Sequence, residues 1–102
     1  MALTAAAEET FDADAAWDLH ESVSVRPERF GALLYDFRTR RLTFVKDPVL
    51  QKVIDALPKS SSAREALALV QVPQEDHERY LSALARLAET SMLTPRPQGE
   101  TS

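Results

Sequence analysis

Cysteine is absent from the 102-residue chain. That excludes disulfides, thiolate catalysis and every cysteine-based metal site, and is compatible with a reducing cytosol. Glycine is scarce: Gly31 and Gly99 are the only two, so no glycine-rich phosphate loop can be built. No apolar run approaches the ~18 residues of a membrane span. The opening stretch to Trp17 has neither the basic start nor the apolar centre of a signal peptide. Bases are missing from residues 1–21, which carry Glu8, Glu9, Asp12, Asp14, Asp18 and Glu21. A chain of this length makes one domain, too small for a β/α barrel or a full dinucleotide-binding fold. The expectation is a small cytoplasmic domain without a membrane segment.

What is present is a hydrophobic content of 44%, enough for a globular core, and a formal net charge of −4. A generic phosphate-backbone binder is more often basic. The charge is uneven, because residues 22–46 place Arg26, Arg29, Arg38, Arg40, Arg41 and Lys46 against only Glu28 and Asp36. The opening Ala/Glu/Thr stretch reads as a disordered acidic tail over 1–15, and 95–102 as a second tail. Between them, 16–94 reads as the folded domain.

Ser22 to Arg26 alternates polar and apolar residues, the period of a half-buried strand, and Pro27 is expected to end it. Phe30–Phe37 reads as a second strand, with Leu33, Tyr35 and Phe37 on one face and Ala32, Leu34 and Asp36 on the other. Arg38-Thr39-Arg40 turns the chain without glycine, so the loop should exceed two residues. Arg41–Val45 alternates again as a third strand. At Asp47-Pro48 the period changes: an N-cap followed by proline at the first helical position opens a helix that Pro58 stops. Ser62-Ala63-Arg64-Glu65 has capping-box spacing for a second helix, and Pro73 with Glu75 and Asp76 begins a third. The stripe of that third helix is His77, Tyr80, Leu81, Leu84, Leu87 and Ala88. Ser91–Thr94 reads as a short final strand or an extended tail. Three strands then three helices make a small α+β domain.

Catalysis is poorly provided for. His20 and His77 lie in different segments, neither beside an obvious nucleophile, and Ser60-Ser61-Ser62 reads as a capping loop without a glycine elbow. Asp12, Asp14, Asp18 and His20 lack the glycine turn and ligand ladder of a calcium loop and read as a solvated acidic segment. No cofactor and no enzyme activity are expected. The layout also suits a winged-helix nucleic-acid binder, yet the helices are acidic or neutral where a recognition helix is positive. Arg40 and Lys46 flank the third strand either to deter edge aggregation or to meet a second extended chain. A dimerisation module using the same edge is a third possibility, leaving a monomer or weak dimer.

Trp17-Asp18-Leu19-His20, followed by Val25-Arg26-Pro27-Glu28-Arg29-Phe30-Gly31-Ala32-Leu33-Leu34-Tyr35, resembles the mycofactocin biosynthesis chaperones. These are small relatives of the pyrroloquinoline quinone peptide chaperone. The likeness continues through Thr39–Lys46 to Leu57, about half the chain, and Arg26–Leu33 is its most specific part. It implies a recognition element for ribosomally made, modified peptides: a winged-helix-like domain that catalyses nothing itself. Such a domain binds the leader of the precursor as a strand beside its third strand, in a groove closed by its third helix. It then hands the peptide to a radical SAM maturase carrying iron–sulfur clusters, which modifies the Val-Tyr end. On that basis the contact candidates are Arg40, Arg41, Leu42, Thr43, Phe44, Val45 and Lys46 on the strand. On the helix they are Tyr80, Leu81, Leu84 and Leu87, for which core packing is the competing role. Trp17 is either an anchor for the preceding segment or a face toward the maturase, and Gly31 serves close backbone approach or a bulge.

Overall fold

The computed structural model describes residues 11–96. The remainder of the two expected tails lies outside the described residues. In chain order the elements are β1 (Trp17–Leu19), β2 (Val23–Glu28), β3 (Gly31–Asp36), β4 (Arg41–Val45), α1 (Pro48–Ala56), α2 (Ala63–Val70), α3 (His77–Glu89) and β5 (Leu93–Pro95). Strands β2, β3 and β4 form an antiparallel meander with β3 central, while β1 pairs with β5 in a separate two-stranded ribbon. The α+β order of three sheet strands and three helices is therefore present, with the ribbon added.

Proline does not stop β2. Pro27 stays in the strand, opposite Ala32, because β2 is an edge and its missing N–H costs nothing on the solvent side. Arg29 and Phe30 then turn the chain with neither residue at positive φ, so Gly31, at φ 155°, absorbs the mismatch between turn and strand twist. The next loop, Phe37–Arg40, exceeds two residues as expected and ends with Arg40 in the left-handed region at φ 64°.

Scarce glycine leaves the same mark on the helices. Gln71 and Ser91 each follow a helix at φ 65°. After α3, Ser91 N donates to Ala88 O at 3.0 Å and Met92 N to Leu87 O at 3.0 Å, a Schellman cap without its usual glycine. Ser91→Gly should raise the unfolding free energy by about 0.5–1 kcal/mol, read as a shifted urea midpoint at constant m.

The inner face of the meander carries Ala32, Leu34 and Val45; α1 packs on it, and Val53, Ile54, Leu57, Ala66, Leu67 and Leu84 build the rest of one core with α2 and α3 behind it. Trp17, Met92 and Leu93 close the core from the ribbon side. Trp17 is an anchor: it is buried, stacks on Phe11 at a centroid distance of 4.8 Å and donates from Nε1 to Asp12 O at 2.8 Å. Residues on both sides of the 16–94 span join this packing. Ala13 O and Ala15 O accept from the first amides of α2, Arg64 N and Ala63 N, each at 3.1 Å. Arg96 grips Asp18 with two nitrogens at 3.0 and 2.9 Å and donates to Leu57 O and Ser60 O.

Candidate functional site

The outer strands of the sheet, β2 and β4, each pair on one side only among the described residues, and a groove runs along β4. Strand β4 pairs with β3 alone among the described residues. Beside it a groove of about 300 Å³ runs between the strand and α3. Its strand wall is Thr43, Phe44, Val45 and Lys46; Asp47 and Leu50 form the floor at the start of α1; Ala83, Arg86 and Leu87 form the helix wall. The opposite edge, β2, has given up an amide to Pro27 and carries the exposed Arg26–Glu28 pair at 3.6 Å. A chain seeking strand pairing and apolar burial together finds both at β4.

A hydrogen-bonded link at Asp47 joins the helix wall to the start of α1. Asp47 caps α1 by accepting from Val49 N at 2.8 Å, and its other oxygen accepts from the Tyr80 hydroxyl at 2.6 Å. Burial would raise the Asp47 carboxyl, but the bonds from Tyr80 and Val49 hold it below its ordinary value. The same bond, with burial, pushes the Tyr80 phenol up. Tyr80 thus orients α3 across the end of β4 rather than lining the groove.

The strand and helix candidates sort accordingly. Thr43, Phe44, Val45, Lys46 and Leu87 come together at the groove. Arg40, Arg41 and Leu42 lie at the other end of β4, outside it. Tyr80 and Leu84 belong to the core, and Leu81 packs against it half-buried. Leu50, Ala83 and Arg86 were not anticipated. Ala83 and Arg86 stand at the i and i+3 positions of the face whose i+4 position is Leu87, at the margin of the apolar stripe to which Leu87 belongs, and that spacing is the signal that could have found them.

A separate polar ring corrects one expectation, since His20 does lie beside a serine. Its Nδ1 is 2.8 Å from Ser22 Oγ. The hydroxyl of Ser22, however, donates to Asp36 Oδ1 at 2.7 Å, and both residues are buried. That proton is committed and no substrate reaches the oxygen. Asp36 also accepts from Arg38 N and Arg38 Nη2, each at 3.0 Å, and Arg38 reaches Ser91 O at 3.3 Å. The ring thereby ties the β3–β4 hairpin to the end of α3.

Burial alone would raise the Asp36 carboxyl; the hydrogen bonds from Ser22 and Arg38 and the guanidinium charge instead hold it at about 2, against an ordinary 3.8. A carboxyl depressed in the folded state stabilises fully above its ordinary value and loses that contribution as pH falls through 2. Urea midpoints should therefore drop between pH 4 and pH 2, and Asp36→Asn, which abolishes this titration, should flatten the drop.

Among the described residues no group of three or more histidine and carboxylate side chains is placed to hold a metal, and no helix is long and apolar enough to cross a membrane.

The Peptide chaperone MftB family profile matches residues 16–94. The Peptide chaperone MftB of Mycolicibacterium smegmatis is 43% identical over 100 residues, covering 97% of this chain and 98% of that protein. Its counterpart in Mycobacterium ulcerans is 43% identical over 93% of this chain and 87% of its own length. The Mycobacterium tuberculosis protein of the same name is 45% identical over 84% and 79% respectively. No solved structure matches this chain. With a profile spanning most of its length and relatives this similar from end to end, the chain belongs to the Peptide chaperone MftB family, which is not catalytic.

Proposed function

We propose that this chaperone binds the leader of the mycofactocin precursor peptide by adding it as a strand to β4, and presents the peptide to a radical SAM maturase. The observation that carries the reading is the coincidence of a strand edge unpaired among the described residues with a mostly apolar groove on the same side. Four or five ladder bonds contribute ~0.5–1.5 kcal/mol each, while ordering a flexible peptide costs ~2–5 kcal/mol. Backbone pairing therefore needs a surplus from side chains. Phe44, Val45, Leu50 and Leu87 offer apolar contact for one or two leader residues, and Lys46 and Arg86 flank them with positive charge. The groove thus suits an extended segment alternating apolar and acidic residues.

The test is a titration of the precursor peptide into the labelled chain. Amide shifts concentrated in β4 and α3 support the reading; shifts elsewhere, or retention of duplex DNA at physiological salt in place of peptide, contradict it. Arg86→Glu should weaken peptide binding by about tenfold at low ionic strength, with the gap narrowing in ~0.5 M salt, because partly exposed charge pairs are screened.

A further inference from the structure

The outer face of the meander is apolar and uncovered. Register places Leu33 opposite Phe44 and Tyr35 opposite Leu42, all four directed away from the core that Ala32, Leu34 and Val45 join. Phe37 continues the β3 row. Phe37, Leu42 and Phe44 are 60%, 59% and 47% exposed. Two adjacent rows of large apolar side chains form a contiguous patch of the kind that marks an interaction site, unlike apolar residues scattered singly.

The surroundings of the patch identify the kind of occupant. Exposed Arg26, Arg29, Arg40 and Lys46 surround it, with Glu28 as the acid paired to Arg26. This is a positive rim on a chain whose net charge is −4. A second copy meeting this face by a two-fold axis would bring one basic rim against another, which opposes self-association. A partner with an apolar centre and an acidic rim is complementary. A strand added at β4 would also extend the same face, since alternate side chains of that strand point outward beside Leu42 and Phe44.

We propose that this outer face docks the maturase through an acid-rimmed apolar surface, and that the bound leader completes the dock. The partner thereby binds the loaded chaperone more tightly than the empty one. The inference rests on the strand-addition reading for its coupling; Phe44 and Lys46 border both surfaces, whereas Leu33, Tyr35 and Phe37 and the rim residues Arg26, Arg29 and Arg40 lie outside the groove lining.

That separation supplies the test. Tyr35→Ser and Arg26→Glu alter the face one and two strands from the β4 edge, and Arg26→Glu acts only on the surface, reversing an exposed charge and breaking its exposed pair with Glu28. For the full-length parent chain, affinity for the purified maturase is measured by biolayer interferometry with and without saturating precursor peptide, and peptide affinity by fluorescence anisotropy. The parent should bind the maturase at least about fivefold more tightly when loaded. Both variants should keep peptide affinity within about twofold while losing about tenfold or more toward the maturase, in line with an aromatic centre and a steering rim. Unchanged maturase affinity in both variants overturns the docking assignment and leaves peptide binding intact. Equal affinity of the loaded and empty parent overturns the coupling. Failure of the parent to take up peptide overturns the strand-addition reading instead. A parent that sediments as a dimer, dissociated by Tyr35→Ser at the apolar centre of the face, assigns the face to self-association and overturns the proposal.

Discussion

Replacing Gly31 by alanine should destabilise the domain by about 3 kcal/mol or more, enough to unfold much of a chain with the usual marginal stability. Two independent causes combine at this position. The backbone sits at φ 155°, a conformation that side chains rarely adopt. A Cβ there would also overlap the carbonyl oxygen of Val45 and come within 3.1 Å of the Phe44 ring. The obstructing atom is backbone in the neighbouring strand, so relief requires β3 and β4 to separate at the end where the groove begins. Thermal unfolding of Gly31→Ala should show the loss, and any residual folded protein should bind peptide poorly because the displaced strand is the proposed docking edge. A melting temperature within a few degrees of the parent would contradict this account of the close strand approach.

The largest effect on binding without loss of fold is expected from Ala83→Trp. Ala83 is half-buried on the helix wall of the groove and outside the core cluster. An indole at that position occupies volume that the proposed leader side chains need, within a space of about 300 Å³. Peptide affinity should fall by about 100-fold, equivalent to ~2.7 kcal/mol, while the urea midpoint stays near that of the parent. Leu84→Ala, one residue further on, is the contrasting case. Leu84 is fully buried, so its truncation should cost about 2–5 kcal/mol of stability through a cavity.

The contrast between Ala83 and Leu84 also shows what the sequence discloses. Periodicity identifies the face of α3 that leaves water, and that face became core: Tyr80, Leu84 and Leu87 are buried. The groove wall takes only Leu87 from that stripe and otherwise stands beside it, on a small residue and an arginine, because a concave surface is made by what two elements leave between them. The three meander strands and three helices were legible for a different reason. Their apolar spacing changes period at Asp47-Pro48, where the cap and the proline have local causes that the structure shows in Asp47 accepting from Val49.

The ribbon was less legible. Trp17–Leu19 and Leu93–Pro95 are three residues each, too short for alternation to register, and their pairing spans nearly the whole chain. Arg96 likewise fell in an apparent tail, since nothing local announces that Asp18 will stand beside it. Pro27 misled because a residue that breaks a central strand is harmless on an edge. His20 and Ser22 meet locally, two residues apart, so that neighbour was visible in the sequence; what the sequence does not disclose is that Asp36, fourteen residues on, takes the serine proton once β2 and β3 pair.

The most direct measurement is amide hydrogen exchange along β4 with and without the precursor peptide. Alternate amides of this strand bond to β3; the intervening ones point toward the groove and have no strand partner among the described residues. Addition of peptide should slow exchange at those intervening amides by about tenfold or more, and leave the β2 edge unchanged. Saturable peptide binding with no new protection on β4 would contradict strand addition and with it the function proposed for this edge.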